Sequence, residues 1–412
     1  MSERAQSVRF SALALALLSM LLVLSTHPAQ AATETVLYNF TGGSDSDYPT
    51  GPLTLYNGNL YGTTQAASFG SGGVGPGIVY ELSPNGSGGW NESTLYTFCA
   101  LPNCADGEYP NNGTLLFDSL GNIYGFTQFR GTYGYGTVFE LSPAGSSWSE
   151  TVLYSFANNG DGAYPDNPGF FDSEGNLYGT IFSGGIGSNG GVFELSPSGG
   201  EWTEQLIYSD NGTWAGVTSD GSGNIYGASA TAVFELSPNG SGWTPKTLFT
   251  FANATKDGSG PNSTLVFDKA GNLYGTTTQG GKSNAGTVFK LSPVTSGKKK
   301  GTWTEKVLYA FKGGTKDGAN PYGSIVFDAS GNAYGATVGG GKDGDGVVYE
   351  LVFTASTGKY KEKVLWSFTG TGGANPGAQG WVGLTPDGEG NFYSVAIYGG
   401  TDNYGIAFEL TP

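Results

Sequence analysis

Short apolar runs of four to seven residues, separated by glycine-rich polar stretches, repeat along nearly the whole chain. They fall into four blocks in a fixed order. A Pro/Gly stretch leads into an apolar run that ends in Asp, as in Pro261 to Asp268 and Pro321 to Asp328. Next comes G-N-(apolar)-Y-G, ending at Tyr61-Gly62, Tyr124-Gly125, Tyr178-Gly179, Tyr226-Gly227, Tyr274-Gly275 and Tyr334-Gly335. A seventh copy, Gly390-Asn391-Phe392-Tyr393, has Ser394 in place of the last glycine. The third block, V-F-E-L-S-P, begins at Val79, Val138, Val192, Val233, Val288, Val348 and Ala407. The fourth, W-x-E-x-V-L-Y-S-F, runs from Trp90 to Phe98, Trp148 to Phe156 and Trp303 to Phe311, with weaker copies from Trp202, Trp243 and Tyr360.

Each block reads as a β-strand. Asp followed by x-x-G-N, as at Asp118 to Asn122 and Asp172 to Asn176, is hairpin chemistry, because Asp bonds its own backbone and Gly-Asn tolerates positive φ. The strands alternate only partly, as expected where neighbours cover both faces of a sheet. Seven four-stranded units of about 54 residues predict an all-β, seven-bladed β-propeller. The ends are complementary. The segment Glu34 to Phe40 is a fourth strand with no preceding unit, and Ala407 to Pro412 is a third strand with no following partner. Pairing them predicts a ring closed by a 3+1 blade, which removes the exposed edges of an open array. The fourth unit is degenerate: Asn211-Gly212-Thr213 replaces its Asp-Gly loop, and Ala228 to Ala232 lacks glycines.

Composition narrows the function. Glycine supplies 72 of 412 residues, charged residues 13% and aromatics 14%. The aromatic share argues against disorder. A net charge of −16 argues against nucleic acid and anionic membrane surfaces as partners. Arg4 and Arg9, the apolar stretch Phe10 to Leu24 and Ala29-Gln30-Ala31 have the order of a signal peptide over residues 1–31. The remaining 32–412 would form one propeller domain. Cleavage would remove His27, the only histidine, so no Ser-His-Asp set, Cys-His pair or His-ligated zinc could form. Cys99 and Cys104 read as a disulfide closing a small loop in an exported protein.

The combination D-G-x-x-P, F-D-x-x-G-N-L-Y-G-T, G-T-V-F-E-L-S-P and W-T-E-x-V-L-Y-S-F resembles the bacterial tandem repeat called GloVer, found in "choice-of-anchor" exported proteins. The resemblance covers Glu34 to Pro412. It implies a secreted or surface-associated propeller-like protein, with the periplasm as a further compartment, and carries over no catalytic residues. Members often bear a C-terminal anchoring segment; with the last repeat reaching Pro412, the expectation here is that the anchor is either absent or the N-terminal segment itself.

Candidate chemistry gathers on one face. Loops from strand four to the next strand one share that face with the strand-two-to-three loops, and loops on rigid scaffolds carry binding residues. It holds Asp45, Asp47, Asp106, Asp161, Asp257 and Asp317, with Tyr48, Tyr109, Tyr164 and Tyr322 beside them. A ring of carboxylates and aromatics would suit sugars; the plainer reading is that Asp-Gly makes the turns. Arg130, with Tyr133 and Tyr135 in a long aromatic loop, could clamp a carboxylate such as a uronic acid. Asp343 and Asp345 offer a weak Ca²⁺ motif without EF-hand spacing, and no other metal or cofactor is expected. The V-F-E-L glutamates Glu81, Glu140, Glu194, Glu235, Glu350 and Glu409, replaced by Lys290 in unit 5, read as pairing partners across strands or units. Repeated Trp and Tyr read as packing between units. Lys298-Lys299-Lys300 reads as a solvated tip. Two functions follow: a non-catalytic, monomeric module binding extracellular glycan or protein, or a polysaccharide hydrolase or lyase using paired carboxylates.

Overall fold

The computed structural model describes residues 32–65, 76–110, 113–185, 190–209, 212, 215–370, 377, 380 and 382–412. The expected signal segment, residues 1–31, lies outside these residues, as do Asn211 and Thr213 of the degenerate fourth unit. Ala32–Pro412 forms one compact unit of seven antiparallel sheets. Units are numbered below by their G-N-x-Y-G tyrosine, from Tyr61 in unit 1 to Tyr393 in unit 7. Unit 3 is typical, with Ala163–Phe171, Leu177–Ser183, Gly191–Ser198 and Glu201–Ser209 in sequential order. In units 2, 5 and 6 the first strand breaks into two pieces, such as Glu108–Pro110 and Leu116–Phe117. Helix among the described residues is limited to Ala254–Asp257 and a 3₁₀ turn at Pro102–Cys104. None of the described residues forms a helix long and apolar enough to cross a membrane.

The ring closes as expected. Thr33–Asn39 pairs antiparallel with Ile406–Thr411, with Val36 opposite Phe408 and Thr35 opposite Glu409. It becomes the fourth strand of unit 7, beside Phe392–Ala396 and Thr385–Pro386.

The repeated residues explain how neighbouring units lock. At six of the seven seams the phenylalanine that follows a fourth strand packs edge-on against the third-strand aromatic of the next unit. The centroid distances are 5.0 Å for Phe98–Phe139, 5.2 Å for Phe156–Phe193, 5.1 Å for Phe251–Phe289, 5.0 Å for Phe311–Tyr349 and 5.6 Å for Phe368–Phe408. Phe40–Tyr80, at 5.1 Å, makes the same contact across the closing seam. Between units 3 and 4, Tyr208 takes over against Phe234 at 4.6 Å. The glycine of N-x-Y-G makes room for these rings: a Cβ on Gly125 would stand 2.5 Å from the Phe139 ring. The tryptophans also bridge units, with Trp90 against Tyr393, Trp243 against Tyr178 and Trp303 against Tyr226.

The V-F-E-L glutamates work across strands within a unit. Each faces the strand-two tyrosine in register, as Tyr61 faces Glu81, Tyr178 faces Glu194 and Tyr334 faces Glu350. The tyrosine hydroxyl donates to the glutamate at 3.2 Å in units 1 and 6. Lys290 keeps the register in unit 5 but sits over the Tyr274 ring, 5.3 Å from its centroid, with Asp268 at 4.0 Å. A cation over an aromatic face explains how the reversed charge is tolerated. The hairpin aspartates fold back as their motif requires. Asp118 accepts from the amides of Leu120 and Asn122, the Asn122 side chain and the Tyr124 hydroxyl. Burial alone would raise its pKa, but these donors hold it below the ordinary carboxylate value.

Candidate functional site

The Asp-Gly loops arch over the predicted face, but their carboxylates turn inward. Asp161 accepts from the Tyr154 hydroxyl at 2.9 Å and from the amides of Ala157 and Asn159 at 2.9 and 3.1 Å. Asp106 binds Tyr96 and the amides of Ala100 and Leu101, and Asp45 binds Tyr38, Thr41 and the Gly43 amide. Asp317 binds Tyr309 and the Lys312 amide, and Asp257 accepts from the Asn253 amide. Asp45, Asp47, Asp106, Asp161 and Asp317 are buried and Asp257 is half-buried. The turn-building role is thus visible in the geometry, and the rim they build presents other groups.

Those groups are aromatic. Tyr48, Tyr109 and Tyr164 each precede a proline and have φ of 54°, 66° and 58°. Proline disfavours right-handed helical backbone in the residue before it, and the left-handed region costs a non-glycine residue about 1–2 kcal/mol. Units 5 and 6 fill the same position with Gly260 and Asn320, which tolerate it. Strain of this kind tends to persist at ligand clamps. The rings lie along an arc in two contact groups, the pair Tyr398–Tyr48 at 5.3 Å and the chain Tyr109–Phe129 at 5.4 Å, Phe129–Tyr164 at 5.4 Å and Tyr164–Tyr135 at 5.8 Å. Burial, with the Tyr398 hydroxyl nearby, pushes the Tyr109 hydroxyl up to about 12. Phe129, Tyr133, Phe182 and Tyr404 add exposed rings to the same face.

The arc breaks the sevenfold repetition. Counting from the start of the second strand, Phe129 in unit 2 and Tyr398 in unit 7 occupy one repeat position. Units 3, 5 and 6 carry Ser183, Gln279 and Gly339 there. Units 7, 1, 2 and 3 therefore form an aromatic half of the face, and units 5 and 6 a small, polar half.

Residues 67–233 and 203–412 match the model of the Gloeobacter/Verrucomicrobia repeat. The chain belongs to this family. No curated protein matches it. Among solved structures, a proposed 6-phosphogluconolactonase of Bacteroides fragilis aligns with 82% of this chain and 88% of its own, at 14% identity and a TM-score of 0.51. A second such protein, from Bacteroides uniformis, covers 82% and 89% at 16% identity and TM-score 0.48. A Dyadobacter fermentans protein of unknown function covers 92% and 99% at 12% identity and TM-score 0.44. These are likenesses of fold.

In this member of the repeat family, Arg130 stands beside the aromatic arc. Its Nε donates to the buried carboxylate of Glu108 at 2.8 Å, while over half of the arginine side chain remains exposed. Its loop is tied down from three sides. The Gly131 amide donates to the Cys104 carbonyl at 3.0 Å, the Thr132 amide to Ser155 Oγ at 2.8 Å, and the Tyr164 amide to the Tyr135 carbonyl at 2.9 Å. The Cys99–Cys104 disulfide is formed and closes the loop that supplies the Cys104 carbonyl.

Tyr322 is placed differently from the other three tyrosines. It follows its proline instead of preceding it, and lies between the two strand pieces Gly318–Pro321 and Val326–Phe327 of unit 6. Its hydroxyl pKa is raised first by burial and then by the Asp166 carboxylate of unit 3, against a hydrogen bond with Asn262 of unit 5. Asp343 is exposed and Asp345 half-buried in the strand-two-to-three loop of unit 6. Among the described residues no group of three or more His, Cys, Asp or Glu could hold a metal ion.

Sequence reasoning passed over the fourth-strand glutamates. Burial raises Glu34 and Glu204 to about 8, and Glu150, Glu305 and Glu362 to about 7. The loop aspartates add like charge, Asp106 beside Glu150 and Asp161 beside Glu204. The available signal was the alternation W-x-E-x-V, which puts the glutamate on the same side as the packed tryptophan and valine.

Proposed function

We propose that this is an exported or surface-associated, non-catalytic module that binds glycan through the aromatic half of its loop face. The observation that carries the reading is the arc from Tyr398 through Tyr48, Tyr109, Phe129 and Tyr164, confined to units 7, 1, 2 and 3. Sugars present apolar ring faces edged by hydroxyls, which suit aromatic platforms with polar tips. Exposed Arg130 nitrogens at the edge of the arc would add affinity for a carboxylated sugar, moderated by the Glu108 charge. Export rests on the residue 1–31 pattern and the Cys99–Cys104 disulfide. The alternative hydrolase or lyase requires two acids free to face a substrate. Asp45, Asp106 and Asp161 instead spend both oxygens on their own loops and on the tyrosine of the preceding strand.

Glycan-array binding tests the proposal. The wild-type chain should be retained on a subset of polysaccharides, and Phe129→Ala with Tyr164→Ala should lose that retention. Retention on uncharged polysaccharides that survives both substitutions, or release of reducing or unsaturated ends from any polysaccharide, would overturn it.

A further inference from the structure

All fifteen lysines of the chain fall within residues 246–363, beside nine acids; the rest of the sequence holds three arginines and 25 acids. A molecule of net charge −16 thus carries one segment of net charge +6, spanning the outer strand of unit 4 and units 5 and 6. Much of that charge is on the rim. Lys298, Lys299 and Lys300 are exposed on the hairpin between the third and fourth strands of unit 5. Lys359 and Lys361 are exposed on the fourth strand of unit 6, alternating with the partly buried Tyr360 and Glu362. Lys363 continues the row and pairs with Glu350 at 3.3 Å. Alternate residues of a strand lie about 6.6 Å apart, so the row repeats its charge at that interval. Lys306, exposed on the fourth strand of unit 5, donates to the Gly358 carbonyl at 3.1 Å. That contact places it beside the start of the unit 6 row. Four ion pairs form among the described residues, and none involves Lys298, Lys299, Lys300, Lys306, Lys359 or Lys361.

Lysines on an outer strand also discourage edge-to-edge association. The other units show that this need does not account for them. Positions matching Lys359, Lys361 and Lys363 are Ser147, Ser149 and Thr151 in unit 2, and Glu201, Thr203 and Gln205 in unit 3. The same edge carries no lysine or arginine there.

We propose that this lysine rim binds a linear acidic polysaccharide. A row of point charges at even spacing fits a polymer with regularly repeated carboxylates. Lysine ammonium groups supply charge without the planar fork that arginine uses for specific recognition. The large exposed apolar side chains, Leu101, Leu120, Phe129, Tyr133, Phe182 and Tyr404, all lie outside residues 246–363. The rim thus offers no ring on which single-stranded bases could stack and no apolar anchor for a bilayer interface.

Polygalacturonate is the probe, titrated into the full chain at about 50 and about 200 mM salt. Binding should be measurable at the lower salt and weaken steeply at the higher. Lys306→Gln, Lys359→Gln and Lys361→Gln together should lower affinity about tenfold or more, with unchanged thermal melting because all three side chains are exposed. Phe129→Ala with Tyr164→Ala should leave this binding intact, which separates the rim from the loop-face site. Three results would each overturn the proposal: no binding of polygalacturonate, equal binding by the triple variant, or equal or tighter binding of phosphatidylglycerol vesicles or a single-stranded oligonucleotide.

Discussion

Phe40→Ala probes the closing seam through a residue with internal counterparts. Phe40 is fully buried, and its amide donates to the Gly405 carbonyl of unit 7 at 3.1 Å. Its ring meets Tyr80 of unit 1 edge-on. Phe156, also fully buried, makes the same contacts at an ordinary seam, with its amide on the Gly136 carbonyl at 3.0 Å and its ring on Phe193. Truncating a buried phenylalanine costs about 3–5 kcal/mol through lost transfer energy and the cavity left behind. If the two chain ends share unit 7, Phe40→Ala and Phe156→Ala should cost similar amounts. Guanidinium unfolding followed by tryptophan fluorescence, with eight tryptophans as reporters, measures both. A Phe40→Ala cost within about 0.5 kcal/mol of zero, the level of an ordinary surface substitution, would refute the closure if Phe156→Ala kept its full cost.

Asp161→Ala removes the acceptor for the Tyr154 hydroxyl and two loop amides, and should cost about 2–4 kcal/mol in the same unfolding assay. Gly125→Ala drives a methyl into the Phe139 ring and should cost about 1–3 kcal/mol. Stability should also peak near pH 4, between the ordinary aspartate and glutamate values. The fourth-strand glutamates, with folded values of about 7–8 against an ordinary value of 4.5, contribute stability that is complete below about 4.5 and lost as pH rises from there through 7–8. Asp118, Asp172, Asp220, Asp268 and Asp387 are held below their ordinary value of 3.8, so their contribution is lost only as pH falls below it. Melting curves from pH 2 to 9 check the profile, and Glu204→Gln should flatten its alkaline side.

The architecture was legible because the repeats state their own pairing. Tyr178 and Glu194 sit at fixed places in successive blocks and meet in register. The unmatched segments Glu34 to Phe40 and Ala407 to Pro412 announce the shared unit before any coordinate is known. The site was legible only in part. Asp106 and Asp161 were visible as loop residues, but whether a carboxylate faces solvent or its own backbone depends on the turn it closes. Tyr109 and Tyr164 were visible too, yet the direction of their rings depends on a left-handed backbone that no local propensity favours for tyrosine. The pairing of Glu150 with Asp106 joins the fourth strand of unit 2 to the loop leading into that unit, a proximity that strand alternation alone does not reveal. Tyr322 resembled the rim tyrosines until its position after Pro321, and not before it, set it between the two strand pieces of unit 6.

Hydrogen exchange with and without a bound oligosaccharide tests the central claim most directly. The account predicts that protection gathers in residues 129–135, around Tyr164 and in residues 398–404. Protection confined to the opposite hairpins, at residues 118–122 and 172–176, would contradict it.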